Sequence, residues 1–406
     1  EEQEPVYAVF RFPQGFKYEM TTRNSFFYSL RAAIHFSPQL KEDGAVFPAF
    51  FRQGILYAYG DRREHPALHY LMPLQMPQGV GQRFDGDAAQ IAAQLIEALG
   101  LIIELRDYGE RPTLKDKTIL VLGATGRQGG AAAAQLLADG WRVRALTRDP
   151  SSRAARALAQ AGAEVAAGDM GDRASLDAAM RGVHGVFSVQ PPDWNPSDAS
   201  AAEELRLGKN AVDAARDAGV RHFVYSSVNG ADKQSRFRHL AKWEIEQYIR
   251  AIGLPATILR PSGFMENYAG PGFGVQNGTL AEATNPDVPV KLIAVDDIGA
   301  FVRLAFNDPE TFLGKTLEIA GDALTPTQIA EAIARATGRS VRYVHIPIDA
   351  VRRQNEILAR IYEWLIGEGC EVDFPAMRSL HPGLMNFDTW LERRGKALFE
   401  ALFRSA

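Results

Sequence analysis

The sequence predicts an α/β protein, a Rossmann-type parallel sheet with a small C-terminal substrate region, preceded by a small α+β N-terminal domain. Three observations carry this. From residue 118 onward, short apolar strands alternate with helices of roughly 10–15 residues, the pattern of right-handed βαβ crossovers. Three glycines spaced by two residues, Gly123, Gly126 and Gly129, lie between the first of those strands and the first helix. The polar stretch DYGERPTLKDK, residues 107–117, carries Gly109 and Pro112 and separates this array from a segment patterned differently. The expected division is therefore residues 1–112 and residues 113–406.

TILVLGA (118–124) is the first, buried strand, and the Ala-rich helix from Gly129 to Asp139 follows, closed by Gly140. WRVRALTR (141–148) is the second strand, and SSRAARALAQAG (151–162) is a helix with Ser at its start and Gly at its end. AEVAAGD (163–169) is the third strand, SLDAAMRG a short helix, and GVFSVQ (185–190) the fourth strand. A long helix covers 200–218 and RHFVYSS (221–227) is the fifth strand. A helix over 237–252 leads to PATILRPS (255–262), the sixth.

Ahead of residue 107, YAVFRF (7–12) alternates like a strand, 24–35 suits a helix, and 46–60 and 67–73 are rich in Phe, Tyr, Leu and Ile. DAAQIAAQLIEALG (87–100) places Ile91, Leu95 and Leu99 on one helical face behind a capping Asp87, and LIIEL (101–105) closes as a strand. An antiparallel sheet suits this unit. It carries no chemical motif. Its aromatics (Phe26, Phe27, Tyr28, Phe47, Phe50, Phe51, Tyr57 and Tyr59) are read first as core with a homodimer interface, then as a cap over the substrate site, then as an independent binding module.

Composition excludes several classes. Over 406 residues, 46% are apolar and 23% charged, an ordinary globular balance. A net charge of −4 argues against nucleic acid or an anionic membrane as partner. The single cysteine, Cys370, allows no internal disulfide framework and no Cys-based metal cluster, and nothing around it suggests an activated thiol. The histidines lack ligand spacing, so no metal is expected; His184 and His222 precede strands and read as structural. There is no Gly-x-Ser-x-Gly elbow. No apolar run is long enough for a bilayer span, and the acidic opening EEQEPVYAVF reads unlike a signal peptide, so a cytoplasmic location is expected. With no Met at its head, the sequence is expected to continue upstream.

The glycine triplet points to a dinucleotide. One glycine makes the tight turn, one lets phosphate approach the backbone, and one allows the helix to pack on the strand. The helix start then offers free N–H groups and a positive dipole end to a pyrophosphate, with Thr125, Arg127 and Gln128 in the same loop. NAD sites place a carboxylate at the end of the second strand for the ribose 2′-OH. Here Thr147 and Arg148 stand there, with Asp149 one residue late. A guanidinium suits a 2′-phosphate. Arg148, helped by Arg127 and Arg153, therefore favours NADP(H) over NAD.

GATGRQGG, ALTRDP, GDMGD, YSSVNGA, RHLAKWEIEQYIR, RPSGFMEN and IAVDDIG occur in the order and spacing of the NmrA-like family of atypical short-chain dehydrogenase/reductases, which the chain resembles over residues 117–400. The resemblance implies that Asp169 and Met170 border the adenine. It implies that Ser188, Val189, Gln190, Ser226 and Ser227 lie along the nicotinamide half, and that Lys242 binds its ribose. Pro261, Gly263 and Phe264 would cover the nicotinamide, with Phe264, Glu266 and Asn267 toward the substrate. Asp296 and Asp297 match an acidic pair that is usually structural, and a C-terminal substrate region of about 265–406 would close over the cleft.

Ordinary members of the superfamily use Tyr-x-x-x-Lys, with both side chains on one helix face. Four residues before Lys242 stands Arg238, so the acid/base tyrosine is missing. Two functions stay open. One is an NADPH-dependent reductase of a small quinone, imine or activated double bond. Its proton would come from Lys242, its pKa lowered by burial and Arg238, or from Tyr268 or water. The other is a sensor that binds NADP(H) without turnover and acts through a protein partner. The intact cleft-facing segments favour the reductase. His239, beside the motif, reads as a surface or packing residue.

Overall fold

The computed structural model describes residues 6–11, 17–22, 102–104, 116–191, 196–234, 240–367 and 369–404. The chain divides into two compact units, Glu1–Arg111 and Pro112–Ala406. In the first, β1 (Val6–Arg11), β2 (Lys17–Thr22) and β3 (Ile102–Glu104) make an antiparallel sheet in the order β2-β1-β3. Val6 lies opposite Thr22, and Val9 opposite both Glu19 and Glu104. Segments YAVFRF and LIIEL are thus neighbouring strands. The expected helices at 24–35 and 87–100, the aromatic-rich stretches 46–60 and 67–73, and most of 107–117 lie outside the described residues.

The second unit alternates strand and helix. It runs β4 (Thr118–Val121), α1 (Arg127–Ala138), β5 (Arg142–Thr147), α2 (Arg153–Gln160), β6 (Glu164–Ala167), α3 (Arg173–Met180) and β7 (Gly185–Ser188). Then come α4 (Asp198–Asp217), β8 (His222–Ser226), the short α5 (Ala231–Gln234), α6 (Ala241–Ala251) and β9 (Ala256–Pro261). The C-terminal region adds β10 (Gly263–Phe264), β11 (Thr279–Glu282), β12 (Val290–Ile293), α7 (Val295–Asn307), α8 (Pro309–Phe312), β13 (Thr316–Ile319) and β14 (Asp322–Leu324). It ends with α9 (Pro326–Thr337), β15 (Arg342–His345), α10 (Ile348–Gln354), α11 (Glu356–Gly367), α12 (Phe374–Leu380), α13 (Phe387–Trp390) and α14 (Lys396–Arg404).

Seven parallel strands form the central sheet in the order β13-β9-β8-β7-β4-β5-β6. The chain starts at β4, runs to the β6 edge, and returns to β7 on the other side of β4. The switch point therefore lies between β4 and β7, where doubly wound folds open a crevice. The six strands read from the sequence all belong to this sheet. The seventh, β13, is a four-residue strand after a short helix and leaves little periodic signal.

Strand β4 shows why these strands read as unbroken apolar runs. Ile119 and Val121 join one buried cluster with Ala132, Leu136, Phe187 and Phe301. Leu120 and Leu122 join another with Val186, Phe223, Ala211 and Ile245. Side chains alternate across a strand, and both faces of this sheet are covered by helices. Helix α7 approaches α1 closely: a Cβ on Gly299 would come within 2.6 Å of the Ala131 carbonyl oxygen. A third cluster, with Met265, Leu280, Ile333, Phe387, Trp390 and Phe399, is the core of the C-terminal region.

Candidate functional site

The glycine turn is built as its spacing requires. Gly123 has φ +67°, the left-handed region that glycine enters without a Cβ clash. Gly126 N donates to Gly123 O at 2.9 Å and closes the turn. A Cβ on Gly129 would lie 2.2 Å from Gly123 O, so α1 packs directly on the turn. Gly126 caps α1 without a side-chain bond to the helix. The first N–H groups of α1 are thus left by their own helix for an anion. A Cβ on Gly123 would meet Val189 at 3.0 Å, which places the turn against the end of β7, at the switch point.

At the end of β5, Arg148 is exposed, and Arg153 is the exposed first residue of α2. Asp149 is tied into its own turn, its Oδ1 accepting from Ser151 Oγ at 2.6 Å and Ser151 N at 2.8 Å. These bonds hold its carboxyl below the usual range. Arg156, on the same helix, donates to the Ser151 carbonyl. Asp169 Oδ1 accepts from Gly171 N at 2.7 Å, and the Met170 carbonyl accepts from Asn210 at 3.1 Å. This pair therefore has a fixed conformation beyond β6.

Beyond β7, Ser188, Val189 and Gln190 are buried. Gln190 Nε2 donates to Ser188 Oγ at 3.1 Å, while Gln190 Oε1 is buried without a partner. Ser226 Oγ donates to Gln128 Oε1 at 2.6 Å, joining the end of β8 to the first turn of α1. Lys242 Nζ pairs with Glu204 of α4 at 2.7 Å, both side chains about one-fifth exposed at 21% and 22%. The same ammonium lies 6.0 Å from the Tyr225 ring centre.

A buried charge network, absent from the sequence expectations, holds this end. Ser227 Oγ donates to Glu246 Oε1 at 2.5 Å. Glu246 is fully buried, four residues after Lys242 on α6, and takes a two-pronged contact from Arg260 at 2.8 and 2.9 Å. Arg260 also reaches Asp232 and Glu318. Glu318 in turn accepts from Asn229 Nδ2 at 2.8 Å and Gly230 N at 3.0 Å. The loop after β8 is thereby fixed. Burial raises the Glu318 carboxyl pKa above its ordinary value. The signal that was available is a single charged residue, Arg260, inside the buried strand ATILRP.

The rim departs from expectation in three places. Pro261 is buried at the end of β9, and Gly263 and Phe264 form β10, paired with Leu292 and Ile293 of β12. Arg127, expected to join Arg148 on a 2′-phosphate, donates to Asn267 Oδ1 at 3.0 Å, across from the glycine turn. Glu266, expected to face substrate, accepts from Val295 N at 3.1 Å through both oxygens and from Trp390 Nε1 at 2.9 Å. It therefore serves the positive N-terminal end of α7. Burial pushes its carboxyl pKa up. Tyr268 is buried, its ring centre 4.9 Å from Phe273 and 6.3 Å from Phe387, and burial raises its hydroxyl well above the usual range. The physical reason is the 3₁₀ turn Met265–Ala269, which stacks Met265 and Tyr268 on one inward side. Asp297 accepts from His381 and Met385 N, each at 3.0 Å, and Asp296 pairs with Arg394, so the acidic pair anchors the C-terminal segment. Arg238 and His239 lie outside the described residues.

Among the described residues, no helix is long and apolar enough to cross a membrane. None of their His, Cys, Asp and Glu side chains form a group of three or more that would hold a metal ion.

Sheet order, switch point and glycine turn define a doubly wound α/β protein with its cleft between β4 and β7. A model of the NmrA-like family matches residues 115–381, and the chain belongs to that family. It is 34% identical over 237 residues to the (4-alkanoyl-5-oxo-2,5-dihydrofuran-3-yl)methyl phosphate reductase of Streptomyces griseus, covering 58% of this chain and 79% of the relative. An NmrA-like family domain-containing protein of Dictyostelium discoideum is 31% identical over 248 residues, covering 57% and 80%. Among solved structures, the Citrobacter sp. triphenylmethane reductase complexed with NADP(H) superposes with a TM-score of 0.57 at 23% identity, over 68% of this chain and 99% of that one. NmrA, a negative transcriptional regulator, in complex with NADP gives 0.56 at 24% identity, over 71% and 98%.

Proposed function

We propose that the protein is an NADPH-dependent reductase of a small organic substrate. The observation that carries the dinucleotide part of this reading, which the sensor alternative shares, is the glycine turn, packed so tightly under α1 that a methyl group at Gly129 would overlap Gly123. That geometry has a use if a pyrophosphate must approach the backbone. Two further features fit the same group: α1 lacks a side-chain cap, and Gln190 Oε1 is buried without a partner beyond β7. Similar proteins named as reductases support turnover over mere binding.

In this reading, the N-terminal turn of α1 with Gly123, Thr125, Gly126, Gln128 and Gly129 holds the pyrophosphate. Arg148 and Arg153 hold the 2′-phosphate, and Asp149, occupied by Ser151, leaves no carboxylate to prefer a bare ribose hydroxyl. Asp169 and Met170 border the adenine. Ser188, Val189, Gln190, Ser226 and Ser227 line the nicotinamide half, which Pro261, Gly263 and Phe264 cover. Lys242 turns from Glu204 to the ribose hydroxyls, an exchange of one charged contact for another at a partly exposed site. Asn267, held by Arg127, marks the substrate rim. The bound nicotinamide supplies hydride chemistry. With Tyr268 in the core and Arg238 in place of the usual tyrosine, Lys242 and solvent are the proton carriers on this side of the cleft.

The missing tyrosine also supports a second reading, a sensor that binds NADP(H) without turnover. One experiment separates them: NADPH oxidation followed against quinones, imines and enones, with Lys242→Ala alongside. Turnover lost in the variant while NADPH still binds supports the reductase. Tight NADPH binding with no oxidation by any substrate supports the sensor.

A further inference from the structure

Arg127 and Gln128 open α1 one after the other, and each makes a bond to an element beyond the switch point. Gln128 Oε1 accepts from Ser226 Oγ, at the end of β8, at 2.6 Å. Arg127 Nη1 donates at 3.0 Å to Asn267 Oδ1, in the 3₁₀ turn Met265–Ala269 that follows β9 and β10. In the sheet, β8 and β7 stand between β9 and β4, the strand that leads into α1. Both bonds therefore bridge the crevice, from the helix start that faces a pyrophosphate to the elements past β7.

The bridges lie at different depths. Ser226 is fully buried and Gln128 half-buried, so the lower bridge belongs to the floor of the cleft. Arg127 is exposed and Asn267 half-buried, so the upper bridge lies on the solvent side. Its two ends differ in freedom. Asn267 sits between Glu266, held by Val295 N and Trp390 Nε1, and Tyr268, buried in the core of the C-terminal region. The rim turn is thus a fixed post. Arg127 offers a long, exposed side chain, of the kind that changes rotamer within nanoseconds. The arginine is the part that swings.

We propose that the Arg127–Asn267 bond is a strap that closes over the pyrophosphate of the dinucleotide and gates its exchange. The space between the two bridges is the passage from the start of α1 to the nicotinamide half. A dinucleotide laid along it lies under the strap and above the Gln128–Ser226 contact, so Arg127 must release Asn267 each time the nucleotide enters or leaves. The guanidinium that closes the strap also suits a phosphate oxygen, so closure and binding favour one another. The proposal rests on the dinucleotide part of the proposed function and gives a kinetic role to the rim, which the static contacts of the cofactor site do not supply.

The test is stopped-flow binding of NADPH to the full chain, with nucleotide fluorescence reporting association and a chase with excess NADP+ reporting release. Asn267→Ala removes the post and leaves the glycine turn and Arg127 in the chain. Release is expected to quicken about tenfold, the share of one hydrogen bond to a charged group. Association is expected to quicken as well, so that the equilibrium affinity moves less than the release rate. Arg127→Ala is expected to quicken release by at least as much, and the double variant to release no faster than Arg127→Ala alone, because the two residues make one bond. Release from Asn267→Ala at the wild-type rate, release that quickens with no gain in association, or additive effects in the double variant would overturn the strap. Failure of the dinucleotide reading looks different: the wild type would bind no NADPH, which would overturn the strap with it.

Discussion

The glycine turn from Gly123 to Gly129 is shaped by its own backbone and the nearby Arg148 and Arg153 are exposed, whereas Glu246 of α6 and Asp297 of α7 are buried carboxylates answered from other elements. The first arrangement is local. Strand, turn and helix start lie within one short stretch of chain, and glycine is the residue type whose presence decides it. The second is assembled from afar: Arg260 of β9 meets Glu246 of α6 and Glu318 of β13, and Glu266 meets the start of α7 and Trp390. Local sites tolerate changes in distant residues but fail when a single methyl is added. Assembled sites fail when one partner is removed, because the charge left behind stays buried.

That contrast yields effects of graded size. Arg260→Ala leaves Glu246 buried without its main partner and is expected to cost about 3–5 kcal/mol of folding stability, measured by urea unfolding. A loss under about 1 kcal/mol would place the network among ordinary surface ion pairs. Gly129→Ala forces a methyl against Gly123 O, and overpacking of this kind costs about 1–3 kcal/mol. Because the strain falls on the turn itself, NADPH affinity measured by fluorescence is expected to drop about a hundredfold. Arg148→Ala removes a charge-assisted contact of about 1.5–3 kcal/mol, so NADPH weakens by about one to two decades while NADH changes little. Equal weakening of both would remove Arg148 from the 2′-phosphate site.

Two smaller effects sharpen the picture. Glu282 has a folded-state pKa raised from 4.5 to about 7, so its neutral form favours the fold. Its contribution is fully present below about 4.5 and is lost as pH rises through about 7. Wild-type stability relative to Glu282→Gln should fall over that window in thermal unfolding; a constant difference would mean the carboxyl is solvated. Glu204→Gln frees Lys242 from a partly exposed pair, and such pairs are worth about 0.2–1 kcal/mol. NADPH binding should tighten by no more than about fivefold; weaker binding would show that Glu204 orients the lysine for its ligand.

What the sequence revealed follows the same division. Periodicity exposed six of the seven central strands, because each is an apolar run buried on both faces, and the glycine spacing exposed the turn. It missed β13 because four residues after a short helix carry no period. At the rim, the family resemblance implied that Glu266 and Asn267 face substrate and offered Tyr268 nothing but its place in GFMENY, yet the 3₁₀ turn carries Tyr268 inward and Glu266 to the start of α7. Neither direction is encoded in residue type. Arg127 was legible as a loop arginine, but its partner Asn267 is 140 residues away. Nothing in the sequence marks Glu204, Glu246 and Glu318 as paired, since pairing across elements leaves no trace in spacing.

The central claim, that the cleft is shaped for a 2′-phosphorylated dinucleotide, meets its most direct test in parallel titrations of the wild-type chain with NADPH and NADH. The account predicts NADPH binding at least about tenfold tighter than NADH, the share expected of one guanidinium–phosphate contact. Equal affinity for the two, or no binding of either, would contradict it.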